Sequence, residues 1–236
     1  MNMNRIFVEA TCEECNKQFK TIFCKLTPEQ LEYLHNTKSC TTVKKGRILY
    51  EEGNRISGIF CISKGILKIY KTGVEGKEQI IKFAKPGDVI GYRSVINGEP
   101  ACTSVKVLED AVVCHINSQD LYHLLKGNSE FGIELLQVAC KELGEANDYI
   151  TDIAQKSVRE RLAEILLHLK DEFGISAEGI INISLTREEL ANIIGTATES
   201  VIRLLSEFRN EGLIELQGRK IKLLDMNKIK KISSSF

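Results

Sequence analysis

The sequence predicts an α+β chain: an N-terminal β-roll, one long helix, and a C-terminal domain of short helices closed by a hairpin. Three observations predict it. Short apolar runs separated by Gly-centred breaks fill residues 41–116, as in an antiparallel roll or barrel. An apolar repeat alternating steps of three and four then runs through residues 136–153, which a long helix aligns on one side. Past residue 184, two short helical patterns flank a glycine and lead into a strand–turn–strand pattern. The 236 residues suffice for one large or two small domains. The expected divisions are a Cys-containing lead-in at 1–26, a β-roll at 27–127, a long helix at 128–155 and a C-terminal domain of helices and a hairpin at 156–236.

Taken in order, residues 1–26 read as irregular. Thr27-Pro28-Glu29-Gln30 then starts a helix, with Thr as N-cap, Pro at the first helical position and Gln at capping-box spacing. That helix ends near Asn36. Strands are expected at 59–62, 66–70, 79–83 and 112–116. Residues 117–125 read as a short helix and 129–155 as a long one. The stripe of the long helix is Leu136, Ala139, Leu143, Ala146, Ile150 and Ile153. It could lie on the roll or join two copies of the chain. Its small residues permit close helix approach, which favours a homodimer. Residues 156–173 form another helix with Val158, Leu162, Ile165, Leu166 and Leu169 on one face; a linker around Gly174 and a short strand at 181–184 follow.

Thr186 through Gly195 reads as a capped helix. Thr186 and Glu189 have capping-box spacing, and Gly195 tolerates the positive φ of a tight turn. A second helix spans about 197–210, with Val201, Leu204, Leu205 and Phe208 facing inward. Together they make a helix-turn-helix. The outer face of the second helix carries Thr198, Glu199, Ile202, Arg203 and Ser206, with Thr196 and Ser200 at its start. Glu accepts from cytosine N4, and Arg donates to guanine O6 and N7. A hairpin bearing Arg219 and Lys220 would form a basic wing for phosphates. A plainer reading stands beside this one: Glu199 caps Thr196, Glu199 and Arg203 form an i,i+4 ion pair, and the domain binds protein.

Formal net charge is zero. Phosphate binding therefore needs a local cluster of cations, and Arg219, Lys220, Lys222, Lys228, Lys230 and Lys231 supply one. No window approaches the ~18 apolar residues of a membrane span, and the N-terminus lacks a secretory pattern, so a cytoplasmic protein without membrane partners is expected. No nucleophile–base–acid set, Gly-rich phosphate loop or His-Arg-Asp stretch is present, which argues against an enzyme. His35, His115, His123 and His168 show no ligand spacing.

From about residue 27 to 225 the chain resembles the Crp/Fnr family of bacterial regulators. The resemblance rests on Gly46, Gly53 and Gly65, on Gly87-Asp88-Val89-Ile90-Gly91, on the long helix, on Arg161-Leu162, and most specifically on Thr186-Arg187 through Arg203-Leu204-Leu205. It implies a cyclic-nucleotide-binding-like roll, a dimer helix and a winged helix-turn-helix. Promoter DNA is the implied partner, with RNA polymerase a further one if the chain activates. It also implies that Glu199 and Arg203 read bases while Thr186 and Arg187 hold the backbone. The alternative is a roll module working through protein contacts. Two positions depart from the pattern. Thr198 replaces a base-reading Arg of the cyclic-AMP receptor branch, and Ile202 replaces a Ser usual in the oxygen-sensing branch. Ala197 also replaces the usual cap, so Thr196 is expected to cap instead.

The same resemblance bears on the signal sensed. The nucleotide-binding branch has a Glu for the ribose and an Arg-Ser pair for the phosphate. Tyr92 and Ala101-Cys102 stand there, with Arg93 and Lys106 the nearest cations. A buried phosphate without a partner is costly, which argues against cyclic AMP and leaves Tyr92, Arg93, Ala101 and Cys102 as a candidate effector pocket. Among the eight cysteines, Cys12 and Cys15 form a C-x-x-C pair. Disulfides are not expected in a reducing compartment. The oxygen-sensing branch holds an iron–sulfur cluster with three N-terminal cysteines and one from a strand. Cys12, Cys15, Cys24 and Cys114 are the corresponding candidates, although Thr21 occupies the third place and Cys24 falls three residues late. A cluster, a thiol or zinc role, and no cysteine function remain open.

Overall fold

The computed structural model describes residues 11–19 and 21–234. The stretch 1–10, where no secretory pattern is read, and residues 235 and 236, which include the last of the terminal serines, lie outside the described residues. The chain divides into two compact units, Met1–Leu143 and Gly144–Phe236.

The first unit opens with helix α1 (Cys12–Phe19) and a 3-10 turn at Ile22–Lys25. The described part of the lead-in is thus helical where an irregular segment was expected. Thr11 and Glu14 exchange hydrogen bonds at the start of α1, and Thr21 accepts from the Phe23 N–H. Helix α2 (Pro28–Thr37) carries the expected capping box. Strands β1 (Ser39–Val43), β2 (Ile48–Tyr50), β3 (Gly58–Lys64), β4 (Leu67–Thr72), β5 (Glu78–Ala84) and β6 (Val89–Ile90) follow, then helix α3 (Tyr92–Asn97), strands β7 (Ser104–Val107) and β8 (Ala111–Asn117), and helix α4 (Ser118–Gly127). They build two four-stranded sheets, ordered β1-β8-β3-β6 and β2-β7-β4-β5. All the pairings are antiparallel. The four expected strands appear as β3, β4, β5 and β8. Strands β1, β2 and β7 escape a hydropathy reading because their exposed residues are polar or they are short.

Between the sheets lie Ile62, Leu67, Ile69, Ala84, Val105, Val107 and Val113. A second cluster joins the outer side of β3 and β8 to the helices through Phe23, Leu34, Ile59, Ile116, Leu121, Leu124, Phe131 and Leu135. The rings of Phe23 and Phe131 stack at 5.7 Å. Gly65 shows why the turns need glycine: at φ +87°, a Cβ would sit 2.6 Å from the Asp110 carbonyl oxygen.

Helix α5 (Ser129–Gln155) has the expected bounds, beginning in the first unit and ending in the second. Phe131 and Leu135 anchor its start in the core. Five of the six stripe residues, Leu136, Leu143, Ala146, Ile150 and Ile153, are exposed; Leu143 and Ile150 are 63% and 65% so. Ala139 differs, because it packs partly against the helical core of the roll.

In the second unit, Ser157 caps helix α6 (Val158–Phe173) through a capping box. Helices α7 (Arg187–Ile194) and α8 (Thr198–Asn210), strands β9 (Ile214–Gln217) and β10 (Lys220–Leu223), and helix α9 (Met226–Ser233) complete it. Leu162, Leu166, Leu190, Val201, Leu205, Phe208 and Ile229 are buried here. The strand expected at 181–184 reduces to isolated bridges, Ile175 with Ile181 and Ile180 with Lys222. Helix α9 was not expected. It packs against α6 with Ile229 buried.

Candidate nucleic-acid interface and sensing sites

The second unit presents one helix outward by burying its other face. Val201, Leu204, Leu205 and Phe208 hold α8 inward, leaving Glu199, Ile202 and Arg203 exposed, Ile202 at 50%. The angle between α7 and α8 is set at Gly195, which takes φ +73° and donates its N–H to the Ala191 carbonyl at 2.9 Å. Ala191 is buried there, where a larger side chain would part the helices.

Arg203 binds Glu207, with Nη1 donating to Oε1 at 2.9 Å. The Glu199–Arg203 pair of the plainer reading is therefore absent, and Glu199 is exposed without a protein partner among the described residues. Glu207 and Glu211 are also engaged by Arg159, whose guanidinium lies 4.8 Å from the centre of the Phe208 ring. Ala197 is the N-cap of α8 and provides no side-chain bond, so the expectation that Thr196 caps is corrected: the chain turns into helix one residue later. Thr198 and Ser200 are half-buried in the first turn, where backbone N–H groups and the helix dipole favour an anion.

Thr186 and Arg187 have structural tasks as well. Thr186 completes its capping box with Glu189, and its hydroxyl also donates to the Glu189 carboxylate at 2.9 Å. Arg187 Nη2 donates to the Gly218 carbonyl at 2.9 Å, tying the start of α7 to the turn between β9 and β10. Its Nη1 is buried without a hydrogen bond, and burial holds the guanidinium below the ordinary arginine pKa. Arg219 and Lys220 are exposed at that turn. Of the remaining basic residues, Lys222 pairs with Glu215 and Lys228 with Asp225. Lys228, Lys230 and Lys231 belong to α9 rather than the wing. The candidate cations beside α8 reduce to Arg187, Arg203, Arg219 and Lys220.

The roll brings three of the four candidate effector residues together. Tyr92, Arg93 and Cys102 line one cavity with Tyr50, Lys82 and Glu142. Ala101 is buried beside it and is not part of the lining. Lys106 is not part of it either. Lys82 is a cation that sequence reading missed, and Glu142 of α5 accepts from it; Arg93 Nε stands 3.9 Å from the same carboxylate. The free space is about 20 Å³, room for a water or two. Burial pushes the Tyr92 phenol up, and the adjoining Glu142 carboxylate adds to the rise.

The cysteine set is corrected more deeply. Cys114 is disulfide-bonded to Cys40, directly opposite it on β1, contrary to the expectation that disulfides are missing. Cys24 is exposed on the 3-10 turn. Cys12 and Cys15 instead line a second cavity with Cys61 and Cys114. Among the described residues no three His, Cys, Asp or Glu side chains are arranged to hold a metal ion. Cys12, Cys15, Cys24 and Cys114 therefore do not fit a four-thiolate cluster: Cys24 is exposed and does not line the cavity, and Cys114 has its sulfur in a disulfide. Cys40 and Cys61 were missed because their spacing means nothing until β1, β8 and β3 are side by side.

Residues 40–128 match the family model for the cyclic nucleotide-binding domain, and residues 160–232 that for the Crp-like helix-turn-helix domain. The chain is 28% identical over 225 residues to the transcriptional activator protein anr of Pseudomonas aeruginosa, covering 94% of this chain and 91% of that one. It is 27% identical over 220 residues to the anaerobic regulatory protein of Haemophilus influenzae, with 92% and 85% covered. Among solved structures, FixK2 from Bradyrhizobium japonicum shares the fold, with a TM-score of 0.75, 22% identity, and 84% of this chain and 98% of that one covered.

Proposed function

Because the chain belongs to the Crp/Fnr family of DNA-binding transcription regulators, we propose that it acts as a homodimer on a palindromic promoter site, with α8 of each copy in the major groove. The carrying observation is the face of α8: Glu199, Ile202 and Arg203 are exposed while the opposite side is buried. Glu199 accepts from a cytosine, Arg203 donates to a guanine, and Ile202 meets a thymine methyl. Thr196, Thr198 and Ser200 approach phosphate at the helix start, and Arg219 and Lys220 do so from the wing. Arg187 orients the wing through Gly218. Thr186 shapes the start of α7.

Dimerisation supplies the spacing, because two copies set their helices one DNA turn, ~34 Å, apart. Leu136, Leu143, Ala146, Ile150 and Ile153 form the seam. Their exposure in a single chain supports this reading over burial against the roll.

The roll receives the signal. Its cavity argues against cyclic AMP: the Glu142 carboxylate occupies the surroundings of Lys82 and Arg93, so a cyclic phosphate would meet a negative charge. Redox control through the cysteine-rich cavity is favoured instead. Two activities follow from this reading, promoter binding in the cytoplasm and, where the protein activates, contact with RNA polymerase. No helix among the described residues is long and apolar enough to cross a membrane.

The test is genome-wide footprinting with the full chain, followed by shift assays on the recovered sites. A palindrome with two half-sites one helical turn apart is expected. Recovery of sites lacking twofold symmetry would overturn the dimer reading. Retention of sequence selectivity by the Glu199→Ala/Arg203→Ala variant would overturn the role of α8.

A further inference from the structure

Three cysteines form one row across the first sheet. Strands β1, β8 and β3 are adjacent, and the register sets Cys40 opposite Cys114 and Cys114 opposite Cys61. Opposed residues of an antiparallel pair share a face of the sheet, with Cα atoms ~4.5–5.5 Å apart. Cys114 therefore has a cysteine on either side. It is bonded to one of them, Cys40, across a Cα separation of 3.9 Å, while Cys61 keeps its thiol. The cavity beside this row is closed on the other side by Cys12 and Cys15 of α1, and Cys15 Sγ lies 3.4 Å from Ser63 Oγ.

We propose that Cys40, Cys114 and Cys61 form a thiol–disulfide exchange site, in which the bond to Cys114 moves between β1 and β3 and a small dithiol entering past Cys12 and Cys15 reduces it. In the internal step the Cys61 thiolate attacks Cys114 Sγ. The Cys61–Cys114 bond forms and the Cys40–Cys114 bond breaks. Cys40 leaves as a thiolate and takes up the proton that Cys61 released, so nothing is oxidised or reduced overall. Exchange proceeds by attack of a thiolate on a disulfide sulfur, and the register sets Cys61 and Cys40 on opposite sides of the central Cys114. In the reductive step the dithiol becomes a disulfide, and Cys40 and Cys114 receive its two electrons and two protons.

The surroundings regulate the step. Burial pushes the Cys61 thiol up, the neighbouring Cys12 and Cys15 add to the rise, and Lys38 opposes it. Only a thiolate attacks, so the Cys40–Cys114 bond persists until Cys61 is deprotonated or a reductant arrives. The two bonds differ in what they tie down. Strand β1 is a sheet edge and directly follows α2, so a bond to Cys40 fastens the N-terminal helices to the sheet. A bond to Cys61 lies within the sheet and releases that edge. Disulfides in reducing compartments are mostly transient and redox-sensing rather than structural. The exchange chemistry is independent of DNA; its use as a signal rests on the promoter-binding reading above.

The experiment is disulfide mapping on the full chain. Protein equilibrated with oxidised and reduced glutathione is quenched in acid, alkylated and digested without reduction, and the linked peptides are identified by mass spectrometry. The wild type should carry the Cys40–Cys114 link with a smaller Cys61–Cys114 population. Cys40→Ser should move the link wholly to Cys61–Cys114, and Cys61→Ser should leave Cys40–Cys114 alone. Cys24, Cys102 and Cys140 should be alkylated throughout. Should Cys40→Ser fail to fold, timed trapping of the wild type during reduction reads the same exchange. The proposal is overturned if Cys114 in Cys40→Ser stays a free thiol or pairs elsewhere. It is equally overturned if anaerobically prepared protein holds iron or zinc with Cys114 shielded from alkylation. Promoter affinity measured on the two linked forms tests the signalling part separately; equal affinity would refute that part alone.

Discussion

Replacing Arg203 by Ala separates base reading from folding. In the free protein the Arg203 side chain is 68% exposed, and its partner is Glu207 at 2.9 Å, four residues along the helix. An exposed pair of this kind contributes about 0.3–0.5 kcal/mol, and Ala is a somewhat better helix former than Arg. The stability of the variant should thus stay within about 0.5 kcal/mol of wild type. A bidentate contact to guanine is worth about 1–3 kcal/mol, or roughly a 5- to 140-fold loss of affinity. The loss should be concentrated at one base pair of each half-site. Because Arg203 must leave Glu207 to reach a base, Glu207→Ala should tighten binding, by no more than the worth of that pair. Fluorescence anisotropy on duplexes substituted one base pair at a time reads both variants, with urea unfolding as the stability control. A uniform loss on every duplex, with the salt dependence reduced by about one phosphate contact, would refute base reading and assign Arg203 to the DNA backbone.

Leu143→Asp and Ile150→Asp place charges on exposed positions, so the secondary structure should survive. Sedimentation should show monomers at micromolar concentration, and a dimer of unchanged affinity would rule out the seam. Gly58→Ala should destabilise the roll by ~1–3 kcal/mol or more, because the added Cβ would lie 2.0 Å from the Ile116 carbonyl oxygen and no rotamer relieves a clash with backbone; an unchanged denaturation midpoint would contradict this packing. Asp110 accepts from Lys44 Nζ at 2.7 Å and from the Lys45 N–H at 2.8 Å, the side-chain bond chiefly holding its carboxyl below the ordinary aspartate value. A depressed carboxylate stabilises the fold above its unfolded pKa and loses that contribution as pH falls through the folded one. Wild type should therefore lose stability below about pH 4 more steeply than Asp110→Asn, and parallel acid-unfolding curves would show that the contacts contribute nothing.

Several local signals were legible in the sequence, although the start of α8 and the helices α1 and α9 were not. The capping boxes of Thr27 and Thr186 and the αL turn at Gly195 depend on neighbours within a few residues, and all three are present. The 27-residue helix was legible because its apolar repeat needs no partner to be recognised. Strands β1 and β2 were not legible, since Ser39-Cys40-Thr41-Thr42-Val43 gains its extended form from pairing with β8 rather than from its own pattern.

The candidate site divides in the same way. The outward face of α8 follows from helical spacing alone, so Glu199, Ile202 and Arg203 could be named from the sequence. The partner of Arg203 could not, because Glu199 and Glu207 both lie four residues away; in the folded chain it pairs with Glu207, which Arg159 also engages. In the roll, Lys82 meets Glu142 from sixty positions along the chain. The row Cys40, Cys114, Cys61 joins three strands whose register no single segment encodes. Sequence alone determined α2, α5, α7 and α8, the caps at Thr27 and Thr186, and the outward face of α8, which short-range periodicity and hydrogen bonding dictate. Tertiary structure decided which charges pair and which sulfurs meet, because those contacts exist only once distant strands share a sheet.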